Sequence, residues 1–485
     1  MPASPPSILW FREDLRLSDN PALMAAMAAG GPVICLFIRE TGPGAGRPLG
    51  GAANWWLDKS LRALDADLRK RGGQLVLRTG AAKDVIPAVV KEAGARTVFW
   101  NRRYGEPERT ADAGIKASLK AAGIDAQSFN GRLLMEPWEL KTGSGGYYRV
   151  FTPFWRAMQA SYRPQPALAA PKRIAGAALE SEALADWGLH PTHPDWSGGM
   201  AEAWAPGEAG AAARFAAFMD QGLNGYADNR NRPDLDVSTS RLSPHLRFGE
   251  ISPVQIWRAV KAGVEAGRVN ERDAAVFLSE IAWREFSYVL LHFNPELARK
   301  NYNPAFDQMP WRKDRAALLA WQKGMTGYPI VDAGMRQLWH TGWMHNRVRM
   351  IVASFLTKHL LLPWQAGEDW FWDTLVDADP AANAASWQWT AGSGADAAPY
   401  FRVFNPITQG SKFDETGAYV RRWCPELSKV PDKFLHAPFE APANVLAAAG
   451  VVLGKTYPKP IVDHSAGRER ALEAYKQTRT PQDAE

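Results

Sequence analysis

The sequence predicts an N-terminal α/β domain built on a parallel, Rossmann-like sheet, followed by a larger all-α domain. Three observations predict it. The first part of the chain alternates short apolar runs with amphipathic helical patterns, as strands joined by crossover helices do. Residues 136–205 are rich in Pro, Gly and Ala, with Pro164, Pro166, Pro171, Pro191 and Pro194 among them, and read as a connector over the surface. Beyond residue 206 the strand signals fade and helical patterns dominate. The expected divisions are therefore 1–135, 136–205 and 206–485, and 485 residues exceed what one core accommodates.

The expected strands are the apolar runs Ile8–Phe11, Val33–Ile38, Gln74–Leu77 and Thr97–Trp100. Leu57, Leu61, Leu64 and Leu68 recur at helical spacing within Trp55–Arg71, and a second helix is expected over Val85–Ala93. Neither Gly-x-Gly-x-x-Gly nor a Walker A pattern occurs. That removes the usual fingerprints of a dinucleotide or triphosphate site and weighs against an NAD(P)H oxidoreductase. Later helices are expected over Ala274–His292, Asp332–Trp339 and Asn346–Leu362.

Lys and Arg total 57 against 51 Asp and Glu, a net charge of +6. This permits a polyanionic partner without requiring one. The two cysteines, Cys35 and Cys424, make no disulfide framework or zinc cluster and fit buried thiols in a reducing compartment. No run approaches the roughly 18 apolar residues of a membrane span, and no signal-peptide core is evident, so a cytoplasmic protein is expected. Trp is the unusual residue, with 21 copies, many between Trp283 and Trp389. A buried indole needs a partner for its N–H, which makes Trp a demanding core filler.

Several groups carry possible chemistry. Thr239-Ser240-Arg241-Leu242-Ser243 precedes Pro244; hydroxyls and N–H groups ahead of a helix make an anion site. The plainer reading is an N-cap at Ser243 with Pro244 in the first helical position. Glu280, Trp283 and Arg284 fall on neighbouring positions of one helix, which permits a shared pocket. Alone, Arg349, Asp377 and Asp379 read as surface charges, and Trp311, Trp364 and Trp387 as core packing.

Taken in order, the motifs say more. They are Trp10-Phe11-Arg12-x-Asp14-Leu15-Arg16, Thr239 to Pro244, and Glu280-Ile281-Ala282-Trp283-Arg284-Glu285-Phe286. Then come Gly327-Tyr328-Pro329-Ile330-Val331-Asp332-Ala333, Gly342-Trp343-Met344-His345-Asn346-Arg347, Asp377-Ala378-Asp379 through Asn383 to Trp387-Gln388-Trp389, and Phe404-Asn405-Pro406. Collinear and correctly spaced over nearly the whole chain, they resemble the photolyase/cryptochrome family, and most of all its bacterial cyclobutane-dimer photolyases.

The resemblance implies a flavin-binding helical domain that holds FAD. Thr239, Ser240, Arg241, Leu242 and Ser243 would meet the diphosphate, with Tyr226, Phe277, Arg284 and Asn346 as further contacts. Phe277 stands where a bacterial relative has Trp. Arg349 and Asp377 would pair beside the ring, Asp379 would contact it, and Asn383 would face the flavin N5, where an amide can donate or accept. Plant-type receptors carry Asp there. The substrate would be damaged DNA with a flipped-out pyrimidine dimer. Glu280, Trp283, Asn346, Met350 and Trp389 would form its pocket, and Arg230, Arg347 and Gln409 would contact the strand. Trp311, Trp364 and Trp387 would relay electrons to the flavin, with Trp321, Trp370 and Trp372 nearby as alternative routes.

The N-terminal domain would carry an antenna, methenyltetrahydrofolate in preference to a deazaflavin. Trp55-Trp56, Glu136 and the strand around Cys35 are candidate pocket residues, although ordinary core is the simpler reading of each. A monomer is expected. The alternatives are a cryptochrome-type blue-light receptor, many of which have longer tails than the 28 residues after Tyr457, and a (6-4) photolyase, which uses paired histidines where this chain has Asn346 and Met350.

Overall fold

The computed structural model describes residues 4–397 and 401–478. They form two compact units. One comprises the chain up to Asn224 with Ser240–Pro295; the other comprises Gly225–Thr239 with the chain from Glu296.

In the first unit, β1 (Ser7–Phe11), β2 (Val33–Glu40), β3 (Leu75–Gly80), β4 (Thr97–Asn101) and β5 (Asp125–Phe129) make one parallel sheet in the order β3-β2-β1-β4-β5. The crossover segments carry α1 (Pro21–Ala28), α2 (Gly51–Arg69), α3 (Ala82–Ala93) and α4 (Glu106–Ala121). All of β1 is buried, because helices cover both faces of such a sheet and its strands read as continuous apolar runs. The four leucines expected on α2 are all buried. β5 has no such run. Its sequence is DAQSF, it is paired only with β4, and Ala126 is its one fully buried residue.

Strand order reverses between β1 and β4, where open α/β sheets leave a crevice beyond the strand ends. Interlocked ion pairs lie there. Arg12, just after β1, donates to Asp112 at 2.8 and 2.9 Å. Arg103, just after β4, bonds Glu40 at 2.6 Å and Asp112 at 3.0 Å. Charges buried together in this way must satisfy each other. Residues 136–205 are partly structured: Phe151–Ser161 is a helix that buries Phe151, Phe154 and Met158. Further on, Val33 N–H donates to Ala175 O at 2.7 Å and Leu77 N–H to Ser181 Oγ at 2.9 Å, so the segment is laid along the sheet.

The second unit is helical. Pro329–Thr341, Asn346–Ser354, Trp364–Thr374 and Ala382–Ala391 contribute to a core that includes Trp321, Val331, Leu356, Trp364 and Trp387. The single helix expected over Asn346–Leu362 is interrupted. Its α-helical part ends at Ser354, a π-helical turn occupies Phe355–His359, and Leu361 has φ 55°. Apolar periodicity cannot register the one-residue insertion of a π turn.

Among the described residues no helix is long and apolar enough to cross a membrane, and no group of three or more His, Cys, Asp or Glu side chains could hold a metal. Cys35 and Cys424 are buried, and burial pushes the Cys35 thiol up to about 12, which leaves it unreactive.

Candidate functional site

In the second unit the Asn346–Ser354 helix carries Asn346, Arg347, Arg349 and Met350. His345 caps it: Nδ1 accepts from Arg347 N–H at 3.1 Å. Burial first, and then Arg347, Arg349 and Arg230, push His345 down to about 3, so the ring stays neutral and keeps its acceptor. Arg347 donates twice to Asn231 Oδ1, at 2.8 and 3.2 Å, and lies 4.5 Å over the Phe413 ring. Arg230 lies 5.8 Å over the buried Tyr226 ring. Gln409 is half-buried on the Pro406–Phe413 helix.

The expected Arg349–Asp377 pair forms. Arg349 Nη2 donates to Asp377 Oδ2 at 2.7 Å while Nε donates to Met344 O at 2.7 Å. Asp377 Oδ1 is buried and accepts nothing from the described residues. Asp379 Oδ1 takes the N–H groups of Ala381 and Ala382 at 2.9 and 2.8 Å, so this acid stabilises the start of the Ala382–Ala391 helix. Asn383, on that helix, donates through Nδ2 to Glu368 Oε1 at 2.8 Å and to Glu368 O at 3.1 Å. Its Oδ1 accepts from none of the described residues. Two acceptors, Asp377 Oδ1 and Asn383 Oδ1, are thus left without a donor among the described residues.

Trp387 is buried against Trp321, with ring centres 6.1 Å apart, and Phe371, at 5.0 Å. Its indole N–H has no partner among the described residues. Trp364 is fully buried and donates to Asn301 Oδ1 at 2.8 Å; Trp311 is partly buried on the same core. The nearest indole to Trp387 by ring contact is therefore Trp321, outside the three expected relay residues. Trp389 donates to Asp396 O at 2.9 Å. Thr239 is half-buried.

In the first unit, Ser240 Oγ receives Leu242 N–H at 3.4 Å, and Arg241, at φ 52°, lays its guanidinium 4.5 Å over Trp204. The N-cap reading of Ser243 does not hold. Ser243 is the first residue of the Ser243–Phe248 helix, and Leu242 precedes it with no side-chain cap bond. The Glu271–Phe293 helix carries Phe277, Glu280, Trp283 and Arg284. Phe277 packs on Phe218 at 4.8 Å, and Trp283 stacks on Phe151 at 3.8 Å. Arg284 donates to Arg132 O at 2.9 Å and pairs with Glu285 at 3.1 Å. Glu280 is half-buried. Glu285 stands in the quoted motif without an expected role; burial raises it to about 7 although it accepts Leu134 N–H at 2.7 Å. Trp55 and Trp56 are sealed into core, and Trp56 bonds Glu250 at 3.0 Å.

Residues 7–172 match the family model described as DNA photolyase, and residues 277–477 match that described as the FAD binding domain of DNA photolyase. The chain is 55% identical to a deoxyribodipyrimidine photo-lyase of Agrobacterium fabrum, over 97% of both chains. It is 39% identical to Cryptochrome-1 of Arabidopsis thaliana, over 97% of this chain and 70% of that one. A crystal structure of a bacterial class III photolyase from Agrobacterium tumefaciens superposes with a TM-score of 0.95 at 54% identity, covering 99% of this chain and 98% of that one. With matched segments on both units and such identity over nearly its full length, the chain belongs to the DNA photolyase family, and its helical part is that family's FAD-binding domain.

Proposed function

We propose that this protein is a light-driven enzyme that repairs cyclobutane pyrimidine dimers in DNA. The observation that carries the reading is the acceptor pair Asp377 Oδ1 and Asn383 Oδ1, in a chain 55% identical to a deoxyribodipyrimidine photo-lyase. FAD fits that pair, since its ring system offers N–H donors. When bound and reduced, FAD supplies the photoexcited electron that opens the dimer and is afterwards returned.

The protein's own residues bind, orient and balance charge. Arg349 offsets the charge of Asp377. Asn383 presents a fixed acceptor to N5, and Asp379, Asn346, Tyr226, Phe277 and Arg284 are further contacts. Thr239, Ser240, Arg241, Leu242 and Ser243 meet the diphosphate. Trp283 and Trp389 offer aromatic faces to a flipped-out dimer, and Asn346 and Met350 are further contacts to it. Glu280, when protonated, hydrogen-bonds the base edges and steadies developing charge, as a preorganised electrostatic group does. Arg230, Arg347 and Gln409 hold the strand. Trp311, Trp364 and Trp387 carry electrons inward. Residues 1–135 hold the antenna, methenyltetrahydrofolate, and the enzyme works as a cytoplasmic monomer. Asn383 in place of the acid of plant-type receptors favours repair over signalling.

The test uses ultraviolet-irradiated oligothymidine with flavin-reduced protein. Blue light should restore thymine absorbance, and denaturation should release FAD and a folate. Released FAD without restored absorbance would favour the receptor reading. Restoration only of (6-4) lesions would overturn the dimer assignment.

A further inference from the structure

Lys358 lies in the π-helical turn Phe355–His359 with 1% of its surface exposed. Among the described residues no carboxylate pairs with it. Its ammonium is 3.4 Å from the centre of the Phe401 ring and makes one long hydrogen bond, 3.4 Å, to Arg402 O. A ring face and a distant carbonyl offset only part of the cost of taking an ammonium out of water. Such a charge must find an anion or lose its proton.

The same side chain lines a cavity of about 40 Å³. Arg402, Ser354, Thr390, Phe401 and Trp389 share its wall, and no Asp or Glu is among the described residues that line it. Two cations and three hydroxyl side chains, Ser354, Thr390 and Tyr475, set among aromatic rings suit an anion. One water needs roughly 10–15 Å³ by this kind of measure, so the space holds a halide and excludes a nucleotide.

We propose that this cavity is a binding site for one small monovalent anion of halide size, held by the Lys358 ammonium with Arg402 on its wall. Burial alone lowers the Lys358 amine to about 7, and a bound anion returns it toward the charged form. The other titratable groups facing it are Arg402, Tyr475 of the His464–Lys476 helix, and its neighbour His359, which burial lowers to about 3. Occupancy should therefore fade above neutrality as the lysine loses its proton. The site shares Trp389 with the proposed dimer pocket but does not rest on the repair reading.

The experiment is thermal unfolding of the flavin-loaded protein below neutral pH, in chloride, bromide or gluconate at equal ionic strength. Chloride and bromide should raise Tm relative to gluconate. Lys358→Met, which keeps length and removes charge, should abolish the difference. No halide effect in the wild type, or an equal effect in the variant, overturns the proposal. If Lys358→Met does not fold, wild-type crystals soaked in bromide decide: an anomalous peak beside Lys358 Nζ supports the site, and a cavity without one overturns it.

Discussion

Glu368 fixes which atom Asn383 presents. Both atoms of Glu368 that face the amide, Oε1 at 2.8 Å and the main-chain O at 3.1 Å, are acceptors. The amide must therefore turn its NH₂ toward them and its carbonyl away. An Asn free to flip would offer a ligand donor or acceptor with little preference; a tethered one offers an acceptor.

Glu368→Leu should loosen that tether. Loss of a hydrogen bond in a buried setting costs about 1–3 kcal/mol, which urea unfolding would register. Air oxidation of the bound, reduced flavin should also quicken, because Asn383 would no longer hold one orientation. A stability loss with unchanged flavin oxidation would make Glu368 a packing residue only.

Gly367, the preceding residue, should tolerate no side chain. An added Cβ would lie 2.1 Å from Trp387 Cη2 and 2.7 Å from Leu356 Cδ2, so the helix and the indole meet only because that position is bare. Gly367→Ala should cost about 1–3 kcal/mol by overpacking and displace Trp387. Calorimetry and the rate of flavin photoreduction are the measurements; an unchanged Tm would mean that the indole yields easily.

Much of this was legible in the sequence, and the exceptions have physical causes. Buried parallel strands are continuous apolar runs, so β1, β2 and β4 stand out, whereas β5 is an edge strand of polar residues and does not. Arg349–Asp377 was readable only through the family motifs, since its members lie 28 residues apart and no local period links them. Glu368 was missed for the same reason: it meets Asn383 across two helices, and a carboxylate in a helix pattern looks like solvated surface. The Ser243 cap failed because hydroxyl-before-proline is a local signal, whereas the helix there begins one residue earlier than the signal implies. The family motifs point to Trp387 and leave Trp321, Trp370 and Trp372 as alternatives; only the packed core shows that Trp321 is the indole against it.

His345→Asn should flatten the acid limb of the stability profile. The histidine is held near 3 when folded against an ordinary value near 6.5 when unfolded. Between those values the unfolded chain takes up a proton that the folded one refuses, so stability falls as pH drops from about 6.5 toward 3. Asn keeps an N-cap acceptor but does not titrate. The slope of unfolding free energy against pH should fall by up to about 1.4 kcal/mol per unit. The same slope in the variant would mean that other groups, such as His359, set the acid limb.

Arg230→Ala should weaken damaged and undamaged DNA by similar factors if Arg230 serves a phosphate. The slope of log K against log salt should then drop by about one. A loss confined to lesion-bearing DNA would make Arg230 a reader of the lesion.

Trp387→Phe separates the electron supply from the repair step. Phenylalanine is far harder to oxidise than indole, so flavin photoreduction should slow sharply if current reaches the flavin through this residue. Repair by dithionite-reduced enzyme should be nearly unaffected, because the dimer takes its electron from the flavin itself. The structure makes the substitution a clean one: the Trp387 N–H has no partner to lose, and Phe retains much of the ring that packs on Phe371, so the cavity should cost only about 1–2 kcal/mol. Trp321, in edge contact with Trp387, is the built-in control. Photoreduction that survives Trp387→Phe and disappears only when Trp321 is also replaced would route the current through Trp321. Repair lost in the pre-reduced variant would mean instead that Trp387 supports the site as a wall.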